Sequence, residues 1–281
     1  GRQARQQTVE TDTMKYAIVS DIHANAQAWE AVFEDILKVG VDEIVCLGDI
    51  VGYGPDPEPV LDSIFANVRH TVLGNHDAAA VNKLDLDLFQ PEARRIVEWT
   101  TSRLDKAARK FLDGLPLIIG NDDFVCAHAD VAAPGQYAYI HQPEEARALW
   151  DAGSEQVIFI GHTHIPAIHM IGQMGAAHYL PPQDLRCNSE MRYVVNVGSV
   201  GQPRDDALDA SYCIFDSDAG RIAFRRVSYD VNAYLAALRR QGLEPHPCML
   251  EGTIGSAARR RAGMEFRPPP PPPAGPPPGH A

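Results

Sequence analysis

Five short apolar runs in this chain stop at residues able to bind metals or carry protons. Residues 16–20 (YAIVS) lead to Asp21 and His23, 43–47 (EIVCL) to Asp49, and 70–73 (HTVL) to Asn75, His76 and Asp77. Residues 124–127 (FVCA) lead to His128, and 157–160 (VIFI) to His162 and His164. Runs of this length and β-branched content predict buried strands. In α/β sheets the carboxyl ends of the strands converge on one edge, where ligands bind. Residues at i and i+2 of an extended segment point the same way, so Asp21 is expected beside His23 and His162 beside His164.

Taken singly, an Asp-x-His, a His-x-His or a glycine before Asp is ordinary turn chemistry. The recurrence argues for a site, because it gathers five of the eleven histidines, three carboxylates and an amide at strand ends. A nitrogen and oxygen donor set without thiolates suits Mn, Fe, Zn or Ni better than Ca or a purely structural zinc site.

Helical spacing fills the gaps between the runs. Residues 25–38 place Trp29, Val32, Phe33, Ile36 and Leu37 on one face, and a second helix is expected over 58–66. Residues 80–114 read as largely helical, broken at Pro91, and positioned to cover a site. Strands are expected at 117–119, 167–170, 193–197, 212–215 and 221–227, with helices near 144–152 and 231–240. Early βαβ alternation followed by strand after strand predicts an α/β sandwich of mixed sheets with helices outside.

The polar stretch 1–13 is expected to be a disordered extension and 14–250 the folded domain. From 251 to 281 the composition turns to Arg and Pro, with RRR at 259–261 and six prolines at 268–273. Such a tail cannot pack a core and is expected to be disordered or polyproline II. A proline run can also serve a partner's aromatic-lined groove, although a passive tail is the plainer reading.

The net charge of −12 argues against nucleic-acid binding, and against a nuclease, because phosphate neutralisation needs Lys and Arg. A phosphate ligand must therefore be drawn by something local. The five cysteines (Cys46, Cys126, Cys187, Cys213 and Cys248) are odd in number and form no CxxC pair. They read as reduced thiols of a cytoplasmic protein. No apolar run approaches the ~18 residues of a membrane span, so no membrane association is expected. A homo-oligomer stays open.

DIH (21–23), GDIVGYG (48–54), GNHD (74–77) and GHTH (161–164), followed by NVGSVGQPR (196–204), resemble the calcineurin-like metallophosphoesterase superfamily. The similarity is nearest to its small bacterial and archaeal phosphodiesterase-like branch and covers roughly residues 14–231. The resemblance implies a four-layer α/β/β/α sandwich of two mixed β-sheets flanked by helices. It also implies two divalent transition-metal ions, Mn foremost and Fe, Zn or Ni as alternatives. Asp21, His23, Asp49 and His164 would hold one ion, and Asp49, Asn75, His128 and His162 the other, with Asp49 bridging. His76 matches the histidine that contacts the phosphate and protonates the leaving oxygen. Loop 198–204 would offer backbone N–H groups and Arg204 to the phosphate. Tyr53 is a further substrate contact or a turn-packing residue, and Asn75 lies beside the substrate as well.

The implied function is hydrolysis of phosphodiesters or small phosphorylated molecules, by attack of a metal-bridging hydroxide on phosphorus. Two divalent ions against Asp21, Asp49 and one hydroxide leave about one positive charge, which a neutral amide at position 75 preserves for phosphate. Alternatives are a nucleotide or dinucleotide polyphosphate hydrolase, a protein phosphatase, and a non-catalytic interaction scaffold of the same fold. Two positions depart from the family pattern. Ala129 follows His128 where glycine is usual. Gly52 stands where the serine/threonine phosphatases place an Asp that orients the catalytic histidine. Asp77 is expected to cap the following helix, the plainer reading, or to orient a neighbour. His169 and His178 are expected to be ordinary histidines, and Arg94, Arg95 and Arg103 to lie on a solvated helix face, with substrate binding from the helical cover as the alternative.

Overall fold

A computed structural model describes residues 14–205 and 207–251. The expectations for 1–13 and for the Arg- and Pro-rich tail beyond Glu251 lie outside the described residues. In chain order the first elements are β1 (Lys15–Val19), α1 (Ala26–Val39), β2 (Glu43–Cys46), α2 (Pro57–Asn67), β3 (His70–Thr71) and α3 (Asn75–Ala80). Then come α4 (Pro91–Arg103), α5 (Lys106–Asp113), β4 (Ile118–Gly120), β5 (Val125–Ala127), α6 (Arg147–Ala152) and β6 (Val157–Ile160). The remainder is β7 (Ala167–Gly172), β8 (Ala177–Leu180), β9 (Leu185–Arg186), β10 (Met191–Asn196), β11 (Ala210–Asp216), β12 (Arg221–Val227), α7 (Val231–Arg240) and α8 (Pro247–Glu251).

The strands form two six-stranded sheets, ordered β3-β2-β1-β11-β12-β9 and β4-β5-β6-β10-β7-β8. Both are mixed. β3, β2 and β1 run parallel and β1 meets β11 antiparallel; β5, β6 and β10 run parallel while β4 and β7 pair antiparallel. The apolar runs lack polar alternation because their strands are covered on both faces. Tyr16 and Ile18 of β1 meet Val157 and Phe159 of β6 between the sheets, while Ala17 and Val19 turn outward onto Trp29, Val32 and Ile36 of α1. On the far side Ile158 and Ile160 of β6 turn outward onto Leu149 and Trp150 of α6. Helices, sheet, sheet and helix therefore form the four-layer sandwich, with an aromatic group of Tyr16, Phe124, Phe159 and Phe215 at its centre.

Helix α1 starts where its sequence says it should, since the Asn25 side chain accepts from Ala28 N at 3.0 Å. It stops at Gly40, which takes a left-handed φ of 70°. Other elements differ from expectation. Strand β3 keeps only two residues in the ladder, because Leu73 N donates at 2.8 Å to Pro116 O, away from the sheet. Pro91 does not interrupt a helix but opens α4, where its missing N–H costs nothing. Strands β8 and β9 were not expected; each is the outermost strand of its sheet and carries little apolar signal. The five cysteines form no disulfide among the described residues, and no helix there is long and apolar enough to cross a membrane.

Candidate metal centre

The two parallel triplets of strands end at a common edge, and the loops leaving them interlock. Asp21 N donates to Gly48 O at 3.0 Å, His23 N to Asp49 O at 2.9 Å, and Gly161 N to His128 O at 2.8 Å. Asp21, His23, Asp49, His162 and His164 have positive φ between 49° and 69°, a region costly for side chains other than glycine. Strain of this kind persists only where the surroundings over-determine it, and it clusters at functional sites.

Hydrogen bonds fix which nitrogen of His23, His128 and His164 faces the centre. His23 Nδ1 lies 3.1 Å from Val51 O, His128 Nδ1 2.7 Å from Leu47 O, and His164 Nδ1 2.7 Å from Gln202 O. A carbonyl only accepts, so each Nδ1 holds a proton and each neutral ring presents a lone pair at Nε2. Backbone carbonyls of this kind orient the histidines of metal sites. The lone pairs then crowd. His23 Nε2 and His164 Nε2 stand 3.0 Å apart, with Asp21 Oδ1 at 3.8 Å and 3.3 Å from them. His128 Nε2 lies 3.1 Å from Asn75 Oδ1, 3.1 Å from His162 Nδ1 and 3.3 Å from Asp49 Oδ2. Asp21 Oδ1 is buried with no hydrogen-bond partner among the described residues.

Acceptors facing acceptors in a buried space repel one another unless a cation lies among them. The donor set fits two divalent ions. Asp21, His23, Asp49 and His164 bring ligand atoms within 4.8 Å of one another, as do Asp49, His128 and His162, and Asp49 belongs to both groups. Asn75 Oδ1 adds a neutral oxygen to the second group.

The metal-free electrostatics agree. Burial works against the charged forms of Asp21 and Asp49, but the surrounding histidines outweigh it and hold both carboxyls below their usual range. Burial holds His23, His162 and His164 below theirs. At His128 burial is outweighed by Asp49 and Asp21, which push it up to about 9. Without a metal, the cluster recruits a proton on His128 as its cation.

The remaining expected residues border the cluster. The His76 ring packs edge-on against His23 and Phe89, at centroid distances of 5.0 Å and 5.1 Å, and lies 4.6 Å from the Tyr53 ring. Its Nδ1 is buried against Gly52, where a Cβ would sit 2.5 Å away, so Nε2 is left to reach a ligand. Ring packing thus replaces an orienting carboxylate. Asp77 caps as expected and also ties two loops together, accepting from Gly74 N at 3.2 Å and Val51 N at 3.1 Å. Tyr53 is 4.8 Å from the His23 ring, with the Arg204 guanidinium 5.7 Å above it. Arg204 donates to Gln202 Oε1 at 2.8 Å, and no carboxylate pairs with it among the described residues.

Arg94, Arg95 and Arg103 lie exposed on α4, away from the cluster; Arg94 pairs with Asp87 and Glu98, and Arg103 with Glu58. His169 is buried in β7 and His178 exposed on β8. Sequence reasoning passed over three neighbours. Phe89 packs on His76, Tyr139 stacks on His162 at 4.1 Å, and His246 lies 5.6 Å from the Tyr53 ring. None stands at a strand end, so strand-end logic could not find them; only the prolines flanking His246 hint at a fixed position. Beside Tyr139, a cavity of about 340 Å³ is lined by Ile140, His141, Thr163, Ile165 and Tyr179.

Fold and site together describe a phosphoesterase-type metal centre, and comparison with known proteins agrees. The calcineurin-like phosphoesterase superfamily domain matches residues 14–220. An uncharacterised protein of Methanocaldococcus jannaschii is 37% identical over 219 residues, covering 76% of this chain and 88% of the relative. The crystal structure of a metallophosphoesterase from Sphaerobacter thermophilus is 36% identical with a TM-score of 0.75, covering 87% of this chain and all of that one. A hypothetical protein from Pyrococcus horikoshii OT3 shares the fold at 16% identity, with a TM-score of 0.68 over 85% of this chain and 97% of its own. The chain belongs to the calcineurin-like phosphoesterase superfamily.

Proposed function

We propose that the protein is a dinuclear metal-dependent phosphoesterase acting on phosphodiesters or other small phosphorylated molecules. The observation that carries this reading is the buried crowding of acceptors around Asp49, beside an Arg204 that no carboxylate neutralises among the described residues. Asp21, His23, Asp49 and His164 would hold one divalent ion, and Asp49, Asn75, His128 and His162 the other. When bound, such a pair polarises a phosphoryl group and supplies a nucleophile at neutral pH, with Mn the first metal to try.

The chain's own residues do the rest. Arg204, half-buried beside Tyr53, binds a phosphoryl oxygen and orients the ester. His76 Nε2 delivers a proton to the departing oxygen. Burial, reinforced by Arg204 and His164, holds His76 down at about 4 against the pull of Asp49, so the resting ring is neutral. A phosphoryl anion beside it supplies the negative charge that favours the imidazolium. The cavity beside Tyr139 has the size of a small-molecule pocket and takes the organic part of the substrate.

The test is a Mn-supplemented screen of phosphodiesters, monoesters and dinucleotide polyphosphates, run alongside metal analysis. The expected result is metal-stimulated turnover of at least one class with about two ions per chain. A chain that binds no stoichiometric metal and turns over nothing is an interaction scaffold, and the enzymatic reading fails.

A further inference from the structure

Beyond residue 220, where the family match ends, the chain returns to the metal centre. Helix α7 packs Tyr234, Leu235 and Leu238 into one apolar cluster with Leu243 and the fully buried Met249. That anchor holds the intervening Pro245, His246 and Pro247 against the site. Each proline locks its own φ, and Pro247 keeps His246 out of helical geometry, so the histidine rides on a stiff frame. Pro247 then opens α8.

The frame presents the His246 ring edge-on to Tyr53. Cys248 N donates to His246 Nδ1 at 3.3 Å, and Cys248 Sγ lies 3.0 Å from the same nitrogen. Nδ1 therefore accepts, and the proton of the neutral ring sits on Nε2. Among the described residues no group accepts that proton. Burial, reinforced by the positive Arg204, holds the ring down at about 3, so at neutral pH it is an uncharged donor. Arg204, the Tyr53 hydroxyl and His246 thus form a group of donors without a carboxylate among them. A preorganised group of this kind suits an anion.

We propose that His246 is a substrate-binding residue of this site, whose Nε2–H donates, beside Arg204 and Tyr53, to an anionic oxygen of the bound phosphoryl group. This rests on the reading of the centre as a phosphoesterase site, and it places one determinant of substrate binding in the segment that follows the family domain.

The test uses the full metal-loaded chain and titrates inorganic phosphate by calorimetry, with nitrophenyl-ester kinetics and metal content measured in parallel. His246→Ala is expected to weaken phosphate binding about tenfold or more, the loss of one hydrogen bond to a charged group. KM should rise in proportion, with metal content unchanged. His246→Gln, whose amide N–H reaches the position of the ring Nε2–H, should recover most of the affinity; His246→Asn, whose amide falls short, should not. Phosphate binding by His246→Ala within twofold of wild type overturns the proposal. So does equal behaviour of the Gln and Asn variants, or loss of metal in either. A wild-type chain that binds phosphate but hydrolyses no ester refutes the activity while the phosphate titration still decides for His246. A wild-type chain that binds no phosphate refutes both.

Discussion

Replacing Gly74 with Ala tests the link between chain packing and the metal centre. Gly74 has φ −83° and ψ 169°, a conformation open to any residue, so the position demands space and not backbone freedom. A Cβ placed there meets Asp49 Oδ1 at 2.1 Å, Asp49 N at 2.2 Å and Asp49 Cγ at 2.8 Å. Restoring ordinary contact requires a movement of about 1 Å by α3 or by Asp49. Metal–ligand distances tolerate only about 0.2 Å. The same movement disturbs His76, whose backbone N donates to Asp49 Oδ1 at 2.8 Å. Overpacking of this kind costs about 1–3 kcal/mol. Each kcal/mol lowers Tm by about 2–4 °C in a domain of this size. A displaced Asp49 should weaken metal binding by about 10–100-fold, in line with perturbations around ligand shells. The assay is metal per chain after dialysis at limiting metal, with thermal unfolding in parallel. Gly135→Ala is the control, because its Cβ meets only Leu117 Cδ1, at 3.9 Å. A Gly74→Ala protein with full metal content and wild-type turnover refutes the reasoning.

Asn75→Asp should retain metal but bind inorganic phosphate more weakly and turn over more slowly, since a third carboxylate cancels the charge left for the anion; equal activity at saturating metal contradicts this. His76→Ala should keep its metals and lose about 10²–10⁴-fold in rate on alkyl esters, with a smaller loss on nitrophenyl esters, whose leaving group needs no acid. If both esters lose equally, His76 is not the acid. Away from the centre, Asp35 accepts from Arg225 Nε and Nη2 at 2.6 Å and 2.8 Å, and these bonds hold its carboxyl below the usual range. A depressed carboxyl contributes stability that is full above its unfolded pKa of about 3.9 and is lost as pH falls through the folded value. Partial exposure limits the effect to about 1 kcal/mol. Denaturant unfolding of wild type and Asp35→Asn should therefore differ by a constant amount from about pH 5 to 8 and converge below about pH 4; a difference that persists in acid counts against the pair.

Much of the site was legible because strand-end chemistry is local. The VIFI run ahead of His162 and the YAIVS run ahead of Asp21 signal buried strands by composition, and the residues just beyond them must emerge at the sheet edge. The structure brings Asp21, His23, Asp49, Asn75, His128, His162 and His164 together at that edge. Strands β8 and β9 escaped notice because an outer strand has a partner on one side and little apolar cover. The short β3 was equally hidden, since the acceptor that draws Leu73 out of the ladder, Pro116 O, is remote in sequence.

By itself, the sequence determined the periodicity of the strands, the residue types at their ends and the glycines that let those ends approach. Each of these depends on a few neighbouring residues. Only the tertiary structure decided which nitrogen of His23, His128 and His164 faces the centre, because the carbonyls of Leu47, Val51 and Gln202 come from other loops. It alone set His76 between Gly52, Tyr53 and Phe89 in place of a guiding carboxylate. It also brought His246 to Tyr53, through a helix whose apolar face gives no sign of where it will dock. Those contacts join distant segments, and long-range packing, unlike strand periodicity, leaves little trace in any short stretch of chain.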